Sequence, residues 1–225
     1  MDNWLDHVTL TEDGSPTLNH PEHQQWFHSK AGAATEAKSL YMDASGILES
    51  FPLRDLHVAD IGLGLGYNVM ATVESWLSVT SSKNLRVSSF EHDESLWKTI
   101  QIPDTKLTKN YPSFWFDLCR TKKLTHPNGS VFEWDVVLGD LSKNDLNYLP
   151  KFDFVWHDPF SPDVNESLWT ELFFKKLVAS LSEGGTLMTY SVRRSVRDSL
   201  AASGFEVIKI PTTTMKKNWL KAKKL

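Results

Sequence analysis

The stretch Val58-Ala59-Asp60-Ile61-Gly62-Leu63-Gly64-Leu65-Gly66-Tyr67-Asn68 constrains this chain more than any other. A short apolar run meets an acid, and three glycines follow at alternate positions. An amphipathic run, Val69 to Leu77, comes next. That order spells strand, tight turn and helix start. Glycine in such a turn tolerates positive φ and lets the backbone approach a ligand that a side chain would block. The helix start offers free N–H groups to a polar or anionic group.

Spacing separates two cofactor readings. A dinucleotide fingerprint is G-x-G-x-x-G. Here the third glycine falls one residue early, at Gly66, and Tyr67 takes the dinucleotide position. The order acid-x-G-x-G-x-G resembles instead the turn of class I methyltransferases, whose cofactor, S-adenosylmethionine, has no pyrophosphate. A glycine-rich turn that binds nothing is the bland alternative.

At 225 residues the chain can bury a sizeable core, as one large domain or one domain with a small appendage. Its single cysteine, Cys119, excludes an internal disulfide framework and a cysteine-rich zinc site. His20, His23 and His28 have no HExxH or cysteine partner, so no metal is expected. The acidic start, Met1 to Asp6, lacks the basic and apolar regions of a signal peptide. No run approaches the ~18 apolar residues of a membrane span. The expected location is the cytoplasm, with no membrane partner.

The net charge of −4 argues against indiscriminate nucleic-acid binding, but its distribution is uneven. Residues 1–150 hold 12 basic and 20 acidic side chains, and residues 151–225 hold 12 and 8. Arg193, Arg194 and Arg197 cluster, and five lysines, Lys217 among them, crowd the last ten residues. Such a patch supplies sequence-independent attraction to phosphate, or is simply a solvated face.

From Leu56 onward strand-like and helix-like segments alternate, the mark of a parallel α/β sheet. The expected fold is α/β: a Rossmann-like, mostly parallel twisted sheet with helices on both faces over residues 51–225. Residues 1–50 are read as an N-terminal extension packing on that core. Strands are expected at Leu56–Ile61, Leu85–Glu91, Val131–Leu138, Phe152–His157, Thr186–Tyr190 and Phe205–Ile210, with a weaker one near Asn218–Lys223. Helices are expected at Tyr67–Ser78, Asp93–Thr99, Glu166–Leu181 and Val192–Ala202, and helical spacing also runs from Ala33 to Leu48. Gly184-Gly185 and Gly204 are read as helix stops. Pro21 to His28 is read as a surface helix, with lining a pocket as the alternative, and residues 101–130 as an irregular excursion.

Sheets of this kind bind ligands outside the C-terminal ends of their strands, so the acids there matter most. Asp60 ends the first strand. Glu91 ends the second, at the distance where an acid accepts from both ribose hydroxyls. Asp140 follows Val136-Val137-Leu138-Gly139, where a carboxylate can accept from the adenine amine or simply cap a turn. Asp158-Pro159-Phe160 closes an almost wholly apolar strand. Proline fixes its own φ and holds Asp158 extended, aiming the carboxylate over the sheet edge. His157, next door, is read as structural.

With these residues placed, the chain resembles the methyltransferase half of the bifunctional tRNA 5-methylaminomethyl-2-thiouridine biosynthesis proteins and their stand-alone relatives. The similarity runs from about Glu36 to the C-terminus. It is carried by Asp60-x-Gly62-x-Gly64-x-Gly66-x-Asn68, by Ser89-Phe90-Glu91, and by His157-Asp158-Pro159-Phe160-Ser161-Pro162. Leu168-Trp169-Thr170, Glu183-Gly184-Gly185-Thr186 and Val196-Arg197 continue it. The chain has Asp-Pro-Phe-Ser-Pro where many members have Asp-Gly-Phe-Ala-Pro, and Leu65 where threonine is usual.

The resemblance implies methyl transfer from S-adenosylmethionine to the primary amine of 5-aminomethyl-uridine at a tRNA wobble position. Asp158 would be catalytic. Asp60, Gly62, Gly64, Gly66, Asn68, Glu91 and Asp140 would bind cofactor, and Pro159, Phe160, Trp169, Arg193, Arg194 and Lys217 substrate. The family's flavin-dependent oxidase half has no counterpart in these 225 residues, so a separate oxidase or other enzyme would supply the aminomethyl group. Two alternatives stay open: a methyltransferase-fold enzyme acting on a small amine or other nucleophile, and a non-catalytic binding protein that kept the fold.

Overall fold

The structure, a computed structural model, describes residues 4–146, 149–211 and 218–225. The chain opens with a hairpin, β1 (Val8–Leu10) and β2 (Pro16–Leu18). A helical stretch follows: α1 (Ala33–Glu36), a π-helical run Ala37–Asp43, and α2 (Ile47–Ser50). The main sheet then begins. Its strands are β3 (Leu56–Ile61), β4 (Leu85–Glu91), β5 (Lys123–Thr125), β6 (Val131–Leu138), β7 (Phe152–His157), β8 (Leu181–Thr189), β9 (Phe205–Pro211) and β10 (Asn218–Lys224). The remaining helices are α3 (Tyr67–Ser78), α4 (Glu94–Thr99), α5 (Phe114–Thr121), α6 (Glu171–Ser180) and α7 (Arg194–Ala202).

Strand order is β5-β6-β4-β3-β7-β8-β10-β9. The five from β6 to β8 run parallel. β5 is antiparallel at one edge, and β10 is antiparallel to both of its neighbours. Every residue of β3 and β7 is buried, as a strand covered by helices on both faces requires. The chain starts at β3, moves to β4 and β6 on one side, and returns to β7 on the other. The crevice between β3 and β7 is therefore the topological switch point, where open α/β sheets bind ligands.

Each face of the sheet carries its own core. On one, Val69, Val73 and Trp76 of α3 pack with Leu40, Tyr41 and Met42 of the N-terminal stretch and with Trp115 of α5. On the other, Phe173, Phe174 and Leu177 of α6 pack with Leu200 of α7 against Ala59, Ile61 and Val155. Residues 4–50 thus share one apolar cluster with the first of these faces. Among the described residues no helix is long and apolar enough to cross a membrane, and no group of histidine, cysteine and acidic side chains could hold a metal.

Three local expectations need correcting. The helix expected from Glu166 to Leu181 is two pieces, a 3-10 turn Glu166–Trp169 and then α6. Thr170 is extended between them and its hydroxyl accepts the Phe173 N–H, so it caps a fresh helix. Gly184-Gly185 does not stop that helix. α6 ends at Ser180, and the glycines lie inside β8 at a bulge, where the ladder to β7 jumps from Phe152↔Leu181 to Phe154↔Thr186. Residues 101–130 contain α5 and the edge strand β5, because Trp115, Leu118 and Cys119 supply one buried helical face. Gly204 is as expected, at φ +99° just past α7.

Candidate active site

Backbone hydrogen bonds tie the strand ends together at the switch point. Gly62 and Leu63 N–H both donate to Phe90 O, Asp158 N–H donates to Ile61 O, and Gly139 N–H donates to Glu91 O. The glycine turn, the β4 end, the β6 end and the Asp158 loop thus form one rim. Above it lies a cavity of about 1690 Å³.

All three turn glycines have positive φ, at +87°, +52° and +83° for Gly62, Gly64 and Gly66. Their surroundings differ. A Cβ on Gly62 would lie 2.8 Å from the Asp158 carbonyl oxygen, and one on Gly66 would lie 2.3 Å from the Trp115 ring. On Gly64 the nearest atom would be a Phe27 ring carbon at 3.3 Å. Gly62 and Gly64 line the cavity and Gly66 does not. Gly64 thus faces the cavity with only Phe27 close by, whereas Gly62 and Gly66 clear space for the protein itself.

Glu91 has two backbone partners: Oε2 accepts Gly64 N–H at 2.8 Å, and Oε1 accepts Asp93 N–H at 2.8 Å. It lines the cavity, and burial raises its pKa. Asp60 lies one layer lower. It is fully buried and absent from the cavity wall, and Oδ2 accepts the Ser89 hydroxyl while Oδ1 has no partner among the described residues. Burial pushes its carboxyl up to about 7. Asp60 supports the turn from below rather than lining the cavity.

Asp140 lines the cavity too, but Oδ1 accepts Ser142 N–H and its hydroxyl, and Oδ2 pairs with Lys143. It caps the 3-10 turn Leu141–Lys143, and Ser142 and Lys143 hold its carboxyl down to about 2.

Asp158 is half-buried on the wall. Asn68, from the first turn of α3, donates Nδ2–H to its Oδ2 at 3.0 Å. Burial first, and then the charge of Glu36, push its carboxyl up to about 8. The loop beyond it is pinned on every side: Tyr190 O–H donates to Pro159 O, Trp169 Nε1–H to Phe160 O, and Ser161 O–H to Gln25 Oε1. Asp158, Pro159 and Phe160 all line the cavity.

Trp169 was expected to touch substrate. It is 5 % exposed and lies outside the wall, packed on His157 and Tyr190 with its N–H spent on the Phe160 carbonyl. It braces the loop from behind. His157 is fully buried with Nε2 on Leu168 O, and burial drives its pKa to about 3, so it is structural as expected. Arg193 and Arg194 begin α7 away from the cavity, paired with Asp163 and Asp198. Lys217 lies outside the described residues.

The N-terminal segment supplies wall residues, of which Glu36 and Tyr41 were missed by sequence reasoning and Pro21–His28 were read as a pocket lining only in the alternative. His20 to Ser29 forms turns and one β-bridge, Asn19↔Trp26, rather than a surface helix, and lines the mouth. Phe160 packs edge-on against Phe27 and His20 at 4.8 and 5.4 Å between ring centres. Glu36 and Tyr41 line the wall near Asp158. The signal was present in the aromatic and histidine density of Pro21–His28, but proline and two neighbouring histidines make a poor helix.

The wall is short of positive charge. Among the described residues its one lysine, Lys98, is paired with Glu94, and burial lowers the pKa of His20 and His28. Glu91 and Asp158 on the wall and Asp60 beneath it are acids that burial has made costly to ionise. Such a site suits a ligand that carries its own cation.

Comparison with known proteins agrees. A family model described as S-adenosyl-L-methionine-dependent methyltransferase matches residues 104–225. A tRNA 5-methylaminomethyl-2-thiouridine biosynthesis bifunctional protein, MnmC of Acidovorax sp. (strain JS42), is 27% identical over 96% of this chain. The chain spans 35% of that protein's length. An uncharacterized protein of Methanocaldococcus jannaschii is 27% identical over 90% of this chain, which spans 55% of it. The crystal structure of MNMC2 from Aquifex aeolicus superposes with a TM-score of 0.79 at 29% identity, covering 96% of this chain and 69% of that one.

Proposed function

We propose that this chain, which belongs to the S-adenosyl-L-methionine-dependent methyltransferase family, methylates the primary amine of 5-aminomethyl-uridine at the wobble position of tRNA. The observation that carries the acceptor is Asp158, a carboxyl held by proline and Asn68 on the wall of an acid-rich cavity. The biosynthetic role named for the Acidovorax relative supplies the tRNA. A separate oxidase, or another enzyme that delivers the aminomethyl group, provides the substrate.

The residues present fit S-adenosylmethionine. Gly64 has only the edge of the Phe27 ring against its Cβ position, the Glu91 carboxylate lines the cavity, and buried acids offset a cation. When bound, the cofactor supplies a methyl group on a positively charged sulfur, and the carbon–sulfur electron pair stays on sulfur as nitrogen takes the methyl. In this reading Gly62, Gly64 and Asn68 shape the cofactor side, Glu91 holds the ribose, and Asp140 lies at the base. Asp60 and Gly66 maintain the turn.

Asp158 accepts an N–H of the acceptor amine and aligns its lone pair. Orientation of this kind can contribute on the order of 7–11 kcal/mol in favourable cases. Its pKa of about 8 also suits a proton acceptor for an amine, since efficient general bases titrate near the working pH. Phe160, backed by Trp169 and Pro159, offers a flat face to the acceptor's planar base.

The test is mass spectrometry of wobble nucleosides after incubating bulk tRNA with protein and labelled S-adenosylmethionine. Label in 5-methylaminomethyl-uridine is the expected result. Label confined to added small amines would replace this reading with a small-molecule methyltransferase.

Two further outcomes follow from the assignments. Glu91→Ala weakens S-adenosylhomocysteine binding by roughly 1.5–3 kcal/mol, the scale of hydrogen bonds to a charged group, as calorimetry can measure. Unchanged affinity would make Glu91 only a brace for Gly64. Replacing Arg193 and Arg194 together flattens the salt dependence of tRNA binding by roughly 0.7–0.9 log units for each phosphate that the variant no longer neutralises. An unaltered slope would take α7 out of the tRNA surface.

A further inference from the structure

The N-terminal wall beside Asp158 holds polar groups that are poorly satisfied within the protein. Glu36, the last residue of α1, lines the cavity with Tyr41, Asn68, Asp158 and Tyr190. Its carboxylate accepts a long bond, 3.4 Å, from Ser29 N–H. Tyr41 is 1 % exposed, and its hydroxyl makes no hydrogen bond of good geometry among the described residues. The neighbouring groups are committed: Tyr190 O–H to Pro159 O, and Asn68 Nδ2–H to Asp158. The Tyr41 hydroxyl has only a poorly aligned contact with Asp158, and a buried hydroxyl so placed is costly, as are two carboxyls that share a cavity without a cation.

We propose that Glu36 and Tyr41 are specificity-determining residues that select the acceptor as a primary ammonium. Glu36 offsets its charge, and the Tyr41 hydroxyl accepts one of its N–H groups beside Asp158. This rests on the amine-acceptor reading above. One proton then passes from the ammonium nitrogen to an Asp158 oxygen, leaving a free amine and a neutral carboxyl. The Glu36 carboxylate offsets the charge that returns to nitrogen after methylation. An alcohol of the same shape gains none of this.

Calorimetry on the full chain saturated with S-adenosylhomocysteine tests it, with 5-aminomethyluridine and 5-hydroxymethyluridine as paired probes. Wild type is expected to prefer the amine by about tenfold or more, the scale of a charge-assisted hydrogen bond. Glu36→Gln, which keeps the shape and the bond from Ser29, should erase most of that preference. Glu36→Asp should restore part of it, and Tyr41→Phe should reduce it independently. Affinity for S-adenosylhomocysteine should be unchanged in all three, which also reports an intact fold. A full preference in Glu36→Gln, or no preference in wild type, would overturn the proposal. A Glu36-dependent preference in a protein that leaves tRNA unmethylated would overturn the tRNA reading and keep the ammonium site.

Discussion

Asp158→Ala is expected to lower turnover by ~10²-fold or more, the usual lower range for a positioned acid–base or electrostatic group. Affinity for S-adenosylhomocysteine should stay close to wild type, because the contact assigned to Asp158 is with the acceptor nitrogen. Asp158→Asn separates two contributions. It keeps an oxygen that can accept an N–H and loses the charge that takes the proton. It should retain more activity than alanine if orientation dominates, and no more if proton acceptance does. Wild-type turnover in both variants would reduce Asp158 to a strand terminator.

The pH behaviour of the same residue gives a second check. In the proposed mechanism ionised Asp158 is the form that accepts a proton, and its carboxyl is pushed up to about 8 by burial, by Glu36 and by Asp60, against Asn68 and Tyr41. In wild type kcat/KM should rise with pH through about 8. In Asp158→Asn only the titration of the amine itself should remain.

Stability should run the opposite way. The folded-state pKa lies above the ordinary 3.8, so the folded chain keeps a proton that the unfolded chain has released. The resulting stability is complete below about pH 4 and is lost as pH rises through about 8. Asp60, pushed up to about 7, adds to this trend. Asp158→Asn has no such proton to lose. Its Tm relative to wild type should therefore climb from about pH 5 to about pH 9.

Strand and helix positions were legible wherever local pattern and burial agree. Leu56–Ile61, Leu85–Glu91, Val131–Leu138, Phe152–His157 and Tyr67–Ser78 fall where periodicity puts them. Their apolar runs are long, and glycine, acid or proline marks their ends. The pattern was misread where tertiary packing outweighs punctuation. Gly184-Gly185 looks like a helix stop, yet Leu181 is already extended and the glycines serve a bulge. Trp169 looked like a substrate contact because it sits in the same motif as Phe160, but burial turns it towards His157.

The acceptor side of the cavity was the least legible part. Phe27, Glu36 and Tyr41 lie more than a hundred residues before Asp158, in a segment without a motif. Only the return of the chain to β7 beside β3 brings them together. The acids at strand ends could be read one by one because each follows a strand on its own. Their shared electrostatics could not, since the raised pKa of Asp158 depends on Glu36 and Asp60 at once.

The three glycines of the turn should fail in three different ways. Gly66→Ala puts a Cβ 2.3 Å from a Trp115 ring that is fully buried, packed on Tyr111 and Trp134, and tied through Nε1–H to Ile100 O. That ring has nowhere to go. Overpacking of about 1–3 kcal/mol, with about 1–2 kcal/mol for a left-handed residue that is no longer glycine, should lower Tm by several degrees or more. Gly62→Ala pushes on the Asp158 peptide at 2.8 Å, so its main readout should be reduced turnover. Gly64→Val carries the same left-handed strain, but its Cβ meets only the edge of Phe27, at 3.3 Å, and its methyls crowd the cavity side. It should melt closer to wild type than Gly66→Ala and show no calorimetric binding of S-adenosylhomocysteine. Normal binding by Gly64→Val would mean that the cofactor does not pass over the turn. A wild-type melt for Gly66→Ala would mean that Trp115 does not sit against it.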